Sequence, residues 1–251
     1  MRRLPSLLGV LLLLALAGCG SDDDGGKPGD PEALLGRAFT ATDKARSYRA
    51  RMDIDAAFGG QTVAVNGTVL ASSDQRRALL KGKYSDGGSP QEMIVMTVNG
   101  RNFAGGEYIE SALPPGKRWA LVNDQGPSMV SISDFVELLQ ESDDAKFVGE
   151  EDVRGEPTTR VSAPVDVQKL AERSDSKFAD EFARAGGDKL AMTMEVWVAK
   201  DDDRISRMNI DMKEKGGPGR LGAFIEMLDY DVDLSAIREP AEAQVAEQPS
   251  G

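Results

Sequence analysis

The chain has 251 residues, 40% hydrophobic and 29% charged, with a net charge of −12. That is enough for one sizeable domain with its own core, and so acidic a chain is a poor nucleic-acid partner because nothing offsets its repulsion from phosphate. With no histidine and one cysteine, it can form neither a Ser-His-Asp triad, nor a histidine-based zinc site, nor an internal disulfide, so no enzymatic activity, metal or cofactor is expected.

Arg2 and Arg3 precede an apolar run from Leu4 to Leu16, broken only by Pro5, Ser6 and Gly9. The run is short of the ~20 residues that span a bilayer and fits a secretory leader over residues 1–18. Leu16-Ala17-Gly18-Cys19 resembles the bacterial lipobox. That resemblance implies that Cys19 becomes the first mature residue and carries acyl chains, palmitate among them, on its sulfur and its amino group. Two such chains anchor a protein stably, since each buried CH₂ contributes ~0.8 kcal/mol. Residues 19–30 then read as a flexible acidic tether, too polar to order themselves. A single domain is expected over 31–238. Residues 239–251 (EPAEAQVAEQPSG) read as a disordered polar tail.

Within the domain, Pro31 to Ala45 predicts a helix with Leu34, Leu35, Ala38, Phe39 and Thr42 on one face. The period then switches to two. Tyr48, Ala50, Met52, Ile54, Ala56 and Phe58 alternate with charged residues, the signature of a half-buried strand. Gly59-Gly60 turns the chain, and Val63, Val65 and Val69 line the return strand, with Gly67 breaking the row. Further strands are predicted at Arg76–Tyr84, Met93–Val98 and Asn102–Ile109, the last two joined by Asn99-Gly100. Pro114-Pro115-Gly116 turns into Trp119, and Ser133 caps a predicted helix over 134–142.

Phe147–Val153 and Thr158–Ser162 predict a hairpin. Helices are predicted at Pro164–Arg173 and Lys177–Ala185. Leu190, Met192, Met194, Val196 and Val198 give the cleanest alternation in the chain. Asp201-Asp202-Asp203 turns that strand into Ile205–Lys213, and a last strand is predicted over Phe224–Leu234. Helices are too few for alternating βαβ units. The expected class is therefore α+β, a large curved antiparallel sheet in the form of a half-barrel, with helices on its concave face.

Two motifs lead elsewhere and fail on context. Gly217-Pro218-Gly219-Arg220-Leu221-Gly222 fits G-x-G-x-x-G, but it lies in a hairpin loop rather than between a strand and a helix. Asp229, Asp231 and Asp233 mimic a calcium loop, yet Leu234 stands where that loop needs glycine. A solvated acidic face is the reading for Asp229, Asp231 and Asp233, and a turn is the reading for Asp201-Asp202-Asp203.

Taken together, the lipobox, the first helix, the Ser47-Tyr48-Arg49 strand, Trp119 after the fifth strand and the Val153–Val161 hairpin resemble a known family. So do Glu195-Val196-Trp197-Val198, Arg204-Ile205 and the closing Tyr230–Pro240 stretch. The family is the LppX/LprG type of actinobacterial lipoproteins, with a LolA-like fold. The resemblance implies a sheet wrapped over helices around an apolar cavity that binds acyl chains of envelope lipids or lipoglycans. It also implies transport of those chains, a place on the extracytoplasmic face of the cell membrane and an envelope transporter as partner; a monomer is expected.

The residues themselves leave two readings open. Ten methionines against eight phenylalanines make a pliable interior, because methionine is unbranched and repacks around varied shapes. They either admit hydrocarbon or simply fill a core. The cavity candidates are Ala50, Met52, Ile54, Val63, Val65, Met93, Met96, Met192, Met194, Val196, Met208 and Met212. The alternative function is an envelope sensor or protein-interaction module on the same fold.

Overall fold

The computed structural model describes residues 29–74, 76–122, 144–165 and 189–247. The leader, Cys19, most of the tether and the predicted helices at 134–142 and 177–185 lie outside the described residues. So does the predicted helix at Pro164–Arg173 beyond Val165; Pro164 and Val165 themselves belong to a strand.

Helix α1 (Pro31–Asp43) starts as the sequence predicts. Pro31 occupies the first turn, where its missing N–H costs nothing, and the Asp30 carboxylate caps the helix by accepting from the Glu32 N–H at 3.1 Å. Leu34, Leu35 and Ala38 are buried on one face. The strands follow as β1 (Ser47–Phe58), β2 (Gln61–Ser72), β3 (Arg77–Ser85), β4 (Gln91–Val98) and β5 (Arg101–Gly105). After the short helix α2 (Glu107–Glu110) come β6 (Trp119–Val122), β7 (Lys146–Val153) and β8 (Glu156–Val165). The chain continues with β9 (Leu190–Ala199), β10 (Ile205–Glu214), β11 (Arg220–Tyr230) and β12 (Val245–Glu247).

All twelve strands form one open sheet in the order β12-β6-β5-β4-β3-β2-β1-β11-β10-β9-β8-β7. Every pairing is antiparallel except β12 with β6. The first strand therefore sits mid-sheet, and the second half of the chain is built outward from it through the β1–β11 pair. The expected antiparallel α+β sheet is observed.

Three boundaries differ from the sequence reading, each for a local reason. The strand predicted to reach Ile109 stops at Gly105, because Gly106 turns at φ 98° and α2 begins. A side chain at Gly106 would meet the Glu92 carbonyl oxygen at 2.5 Å, so only glycine fits. The strand predicted as Phe224–Leu234 runs from Arg220 to Tyr230 instead. Asp231 ends it at φ 55°, and its carboxylate accepts from the Arg46 N–H at 3.0 Å. The tail read as disordered from 239 continues as ordered chain to residue 247: Glu242–Gln244 makes a 3₁₀ turn and β12 adds to the sheet edge. Composition alone misses this, because a three-residue strand held by an existing edge needs no hydrophobic run.

The register places directly opposed residues on the same face. The face that carries α1, here the inner face, holds the main core: Met192, Met194, Val196, Met208, Ile210 and Met212 pack with Leu34, Leu35 and Ala38. Thr42 fixes the helix by accepting from the buried Ile205 N–H at 3.1 Å. A second cluster of Met96, Val98, Phe103 and Ile237 forms on the outer face, with Leu70, Leu79 and Leu121 in the same layer. The segment from Leu234 to Val245 covers it.

Candidate functional site

The pairing of strands brings most of the candidate residues together. Val196, Met208, Ile225, Met52, Gly67, Gly82 and Met93 form one continuous cross-sheet row. The next row holds Met194, Ile210, Ala223, Ile54, Val65 and Tyr84; beyond it lie Met192, Met212, Leu221, Ala56 and Val63. Ala50 lies on the same face, opposite Met227 and Val69. The inner face therefore carries every candidate except Met96. Met96 is three positions after Met93 on β4, so the period of two sends it to the outer face, where it opposes Leu79 and Phe103. The sequence reading grouped it with Met93 by residue type; its parity shows the opposite side.

The candidates divide by burial. Met192, Met194, Val196, Met208 and Met212 lie beneath α1 and are at most 4% exposed. Here the methionines fill a packed core. Met52, Ile54, Val63 and Val65 are only half-buried, and Met93 and Ala50 border them. Ala50 and Met93 are themselves buried, at 1% and 7% exposure, so Met52, Ile54, Val63 and Val65, over β1 and β2, are the candidates with apolar surface to offer.

The centre of that region has no side chains. Gly67 and Gly82 oppose each other, and the two backbones approach closely: a Cβ at Gly67 would sit 2.4 Å from the Lys81 carbonyl oxygen, and one at Gly82 2.0 Å from that of Asn66. Glycine in a strand marks such close backbone approach. The result is a bare floor between Met52 and Met93, flanked by Val65 and Tyr84 on one side and Val69 and Leu80 on the other. Gly82, Leu80, Val95 and Tyr84 escaped the sequence reading as site residues, and Val69, placed on the same side as Val63 and Val65, was not carried into the candidates. The Ala78-Leu80-Gly82-Tyr84 alternation in β3 was the available signal.

The floor has polar ends. Tyr84 meets Tyr108 of α2 with ring centroids 5.7 Å apart, and burial raises the Tyr108 phenol above its ordinary pKa. At the other end the Thr97 hydroxyl donates to the Asn102 side-chain oxygen at 2.8 Å. From β1 to β5 no inner-face position holds a charged residue, in a chain that is 29% charged. The charges lie on the outer face. There Arg160 and Arg207 sandwich Trp197 at 4.8 and 5.5 Å, and pair with Glu195 at 2.6 Å and Glu226 at 2.7 Å. The inner face of β1 to β5 is thus largely apolar and uncharged.

No family model matches the chain. The uncharacterized 31.2 kDa protein in the rplA–rplJ intergenic region of Streptomyces griseus is 34% identical over 101 residues, 38% of this chain and 31% of that relative. The match thus spans less than a third of the relative's length. Among solved structures, the lipoprotein LppX of Mycobacterium tuberculosis superposes with a TM-score of 0.47 at 14% identity, over 82% of this chain and 97% of that one. LprF from Mycobacterium bovis superposes with a TM-score of 0.52, also at 14% identity, over 84% of this chain and 97% of LprF. The chain therefore has the fold of LprF, a LolA-like open antiparallel sheet with a helix against its inner face.

Proposed function

We propose that this protein is a lipoprotein of the LppX/LprG type that binds acyl chains of envelope lipids or lipoglycans on its inner face and carries them across the periplasm-like space. Acylated Cys19 holds it on the extracytoplasmic side of the cell membrane. The observation that carries this reading is the uncharged inner face of β1 to β5, on which Met52, Ile54, Val63, Val65, Val69 and Tyr84 are half-buried around the Gly67–Gly82 floor. Hydrocarbon laid there leaves water for apolar contacts at ~0.8 kcal/mol per CH₂, without needing one hydrogen bond. The lipobox around Cys19 and the LprF fold support the same reading.

Native mass spectrometry of the full-length chain carrying Cys19→Ala tests it, because any lipid then seen is bound and not covalent. The wild-type inner face should retain lipid. Val65→Arg, which places a charge on that face, should lose it while keeping the same circular dichroism. Lipid-free protein at the start, with no uptake from added vesicles, would overturn the proposal.

A further inference from the structure

A second feature of the inner face lies at the other end of the sheet. A cleft of about 400 Å³ opens between the start of α1 and strands β7 to β9. Its floor is Leu34 and Val198, both of the main core cluster, with Phe147 packed against that cluster, so its apolar lining is continuous with the protein interior. Its rim is charged. Arg37 of α1 pairs with Asp203 at 3.0 Å, and Lys200 pairs with Glu150 at 2.6 Å.

These two cations are exchangeable. The Arg37 and Lys200 side chains are 57% and 41% exposed, and their partners Asp203 and Glu150 are 35% and 69% exposed. Exposed pairs contribute little, so an incoming anion can take the place of the carboxylate, which rehydrates at the rim. A guanidinium presents a planar fork of donors suited to phosphate oxygens, and an ammonium suits them as a point charge. With Asp30 the rim holds three carboxylates against two cations, so a phosphate reaches Arg37 and Lys200 only as their carboxylates turn out to solvent; the freed cations and the apolar floor then define an amphiphile site.

We propose that this cleft is where a phosphate-bearing lipid enters, its headgroup on Arg37 and Lys200 and its tail directed at Leu34 and Val198. The inference rests on the lipid-carrier reading above and adds the place and the headgroup chemistry. Gly29 and Asp30 line the cleft, and Cys19 lies ten residues before Gly29. A tether of that length spans at most ~35 Å, so an anchored domain keeps this mouth close to the bilayer from which a lipid would come.

Uptake of pyrene-labelled phosphatidylglycerol and of pyrene-labelled diacylglycerol from phosphatidylcholine vesicles tests it, using the full-length chain with Cys19→Ala. Arg37→Gln together with Lys200→Gln should reduce phosphatidylglycerol uptake by about tenfold or more and leave diacylglycerol uptake unchanged. Thr159→Trp, which fills the cleft from β8, should reduce both, with circular dichroism unchanged. Excess inorganic phosphate, which competes for the rim alone, should lower phosphatidylglycerol uptake and spare diacylglycerol uptake; if it leaves phosphatidylglycerol uptake unchanged, the rim does not hold the headgroup and the proposal falls. If both variants take up phosphatidylglycerol like the wild type, lipid enters elsewhere and the proposal falls while the carrier reading stands. If the wild type takes up neither probe, the carrier reading falls first.

Discussion

The two apolar clusters of this sheet lie on opposite faces and are closed in different ways. On the inner face a thirteen-residue helix, α1, seals strands β8 to β11 and β1 with leucines and alanine. On the outer face an irregular segment, from Leu234 to the three-residue strand β12, closes the layer of Leu70, Leu79, Met96, Phe103 and Leu121. The inner closure recruits five buried methionines; the outer one is centred on a single phenylalanine, Phe103, with no exposed surface. One sheet thus stabilises itself by two local covers, which leaves the inner face of β2 to β4 to be specified separately from either core.

If the clusters are independent, their mutations should add. Phe103→Ala should cost about 3–5 kcal/mol and Met208→Ala about 2–5 kcal/mol, each the range for emptying a fully buried site. The double variant should equal their sum to within ~0.5 kcal/mol, because the two sites share no partners. Truncation before Ser235 should instead be strongly non-additive with Phe103→Ala, since both remove the same outer cluster. Urea denaturation of the three point variants, the truncation and the truncation carrying Phe103→Ala measures all of this; coupling between Phe103 and Met208 would merge the two clusters into one core.

The inner cover depends on one buried hydrogen bond more than on its charges. Thr42→Val keeps the shape of the side chain but leaves the Ile205 N–H unpaired, which should cost about 1–3 kcal/mol. Arg37→Gln, on the exposed side of the same helix, should cost less than ~1 kcal/mol. Equal effects in a denaturation series would mean that α1 is held by its rim and not by its buried face.

How much of this was legible in the sequence follows from period and parity. The alternation in β1, β9 and β10 assigned Ala50, Met52, Ile54, Met192, Met194, Val196, Met208 and Met212 to one face, because a two-residue period carries that information locally. Met96 was misplaced because residue type was allowed to override its odd spacing from Met93. The Gly67–Gly82 pair was half visible: Gly67 broke a row, but its partner is set by the β2–β3 register, which is not written in either strand alone. The outer cluster was invisible, since the segment covering it is polar by composition and is ordered only because β6 offers an edge.

Tyr230 ties the inner cover to pH. Its hydroxyl donates to the Ile205 carbonyl at 2.5 Å, and burial raises its pKa well above the ordinary tyrosine value of 10.0. The folded state therefore keeps the phenolic proton after the unfolded state has lost it. Its contribution is fully present below pH 10 and is lost as pH rises above that value. Tyr230→Phe should unfold at higher pH than the wild type in an alkaline titration, although it is slightly less stable at neutral pH for want of the hydrogen bond. Coincident alkaline midpoints would remove Tyr230 from the linkage.

The smallest expected effect concerns the outer cover. Arg101 pairs with Glu239 and lies over the Phe103 ring at 5.2 Å, so it joins the covering segment to the cluster beneath. Its side chain is 46% exposed, which limits the ion pair to about 0–1 kcal/mol and leaves it open to screening. Arg101→Met keeps an aliphatic stem over the ring and removes only the charge. It should lower stability slightly at low salt and not at all in molar salt, where the Debye length falls to ~3 Å. A loss that persists in molar salt would show that the guanidinium acts through the Phe103 ring rather than through Glu239, and that the outer segment is held by packing alone.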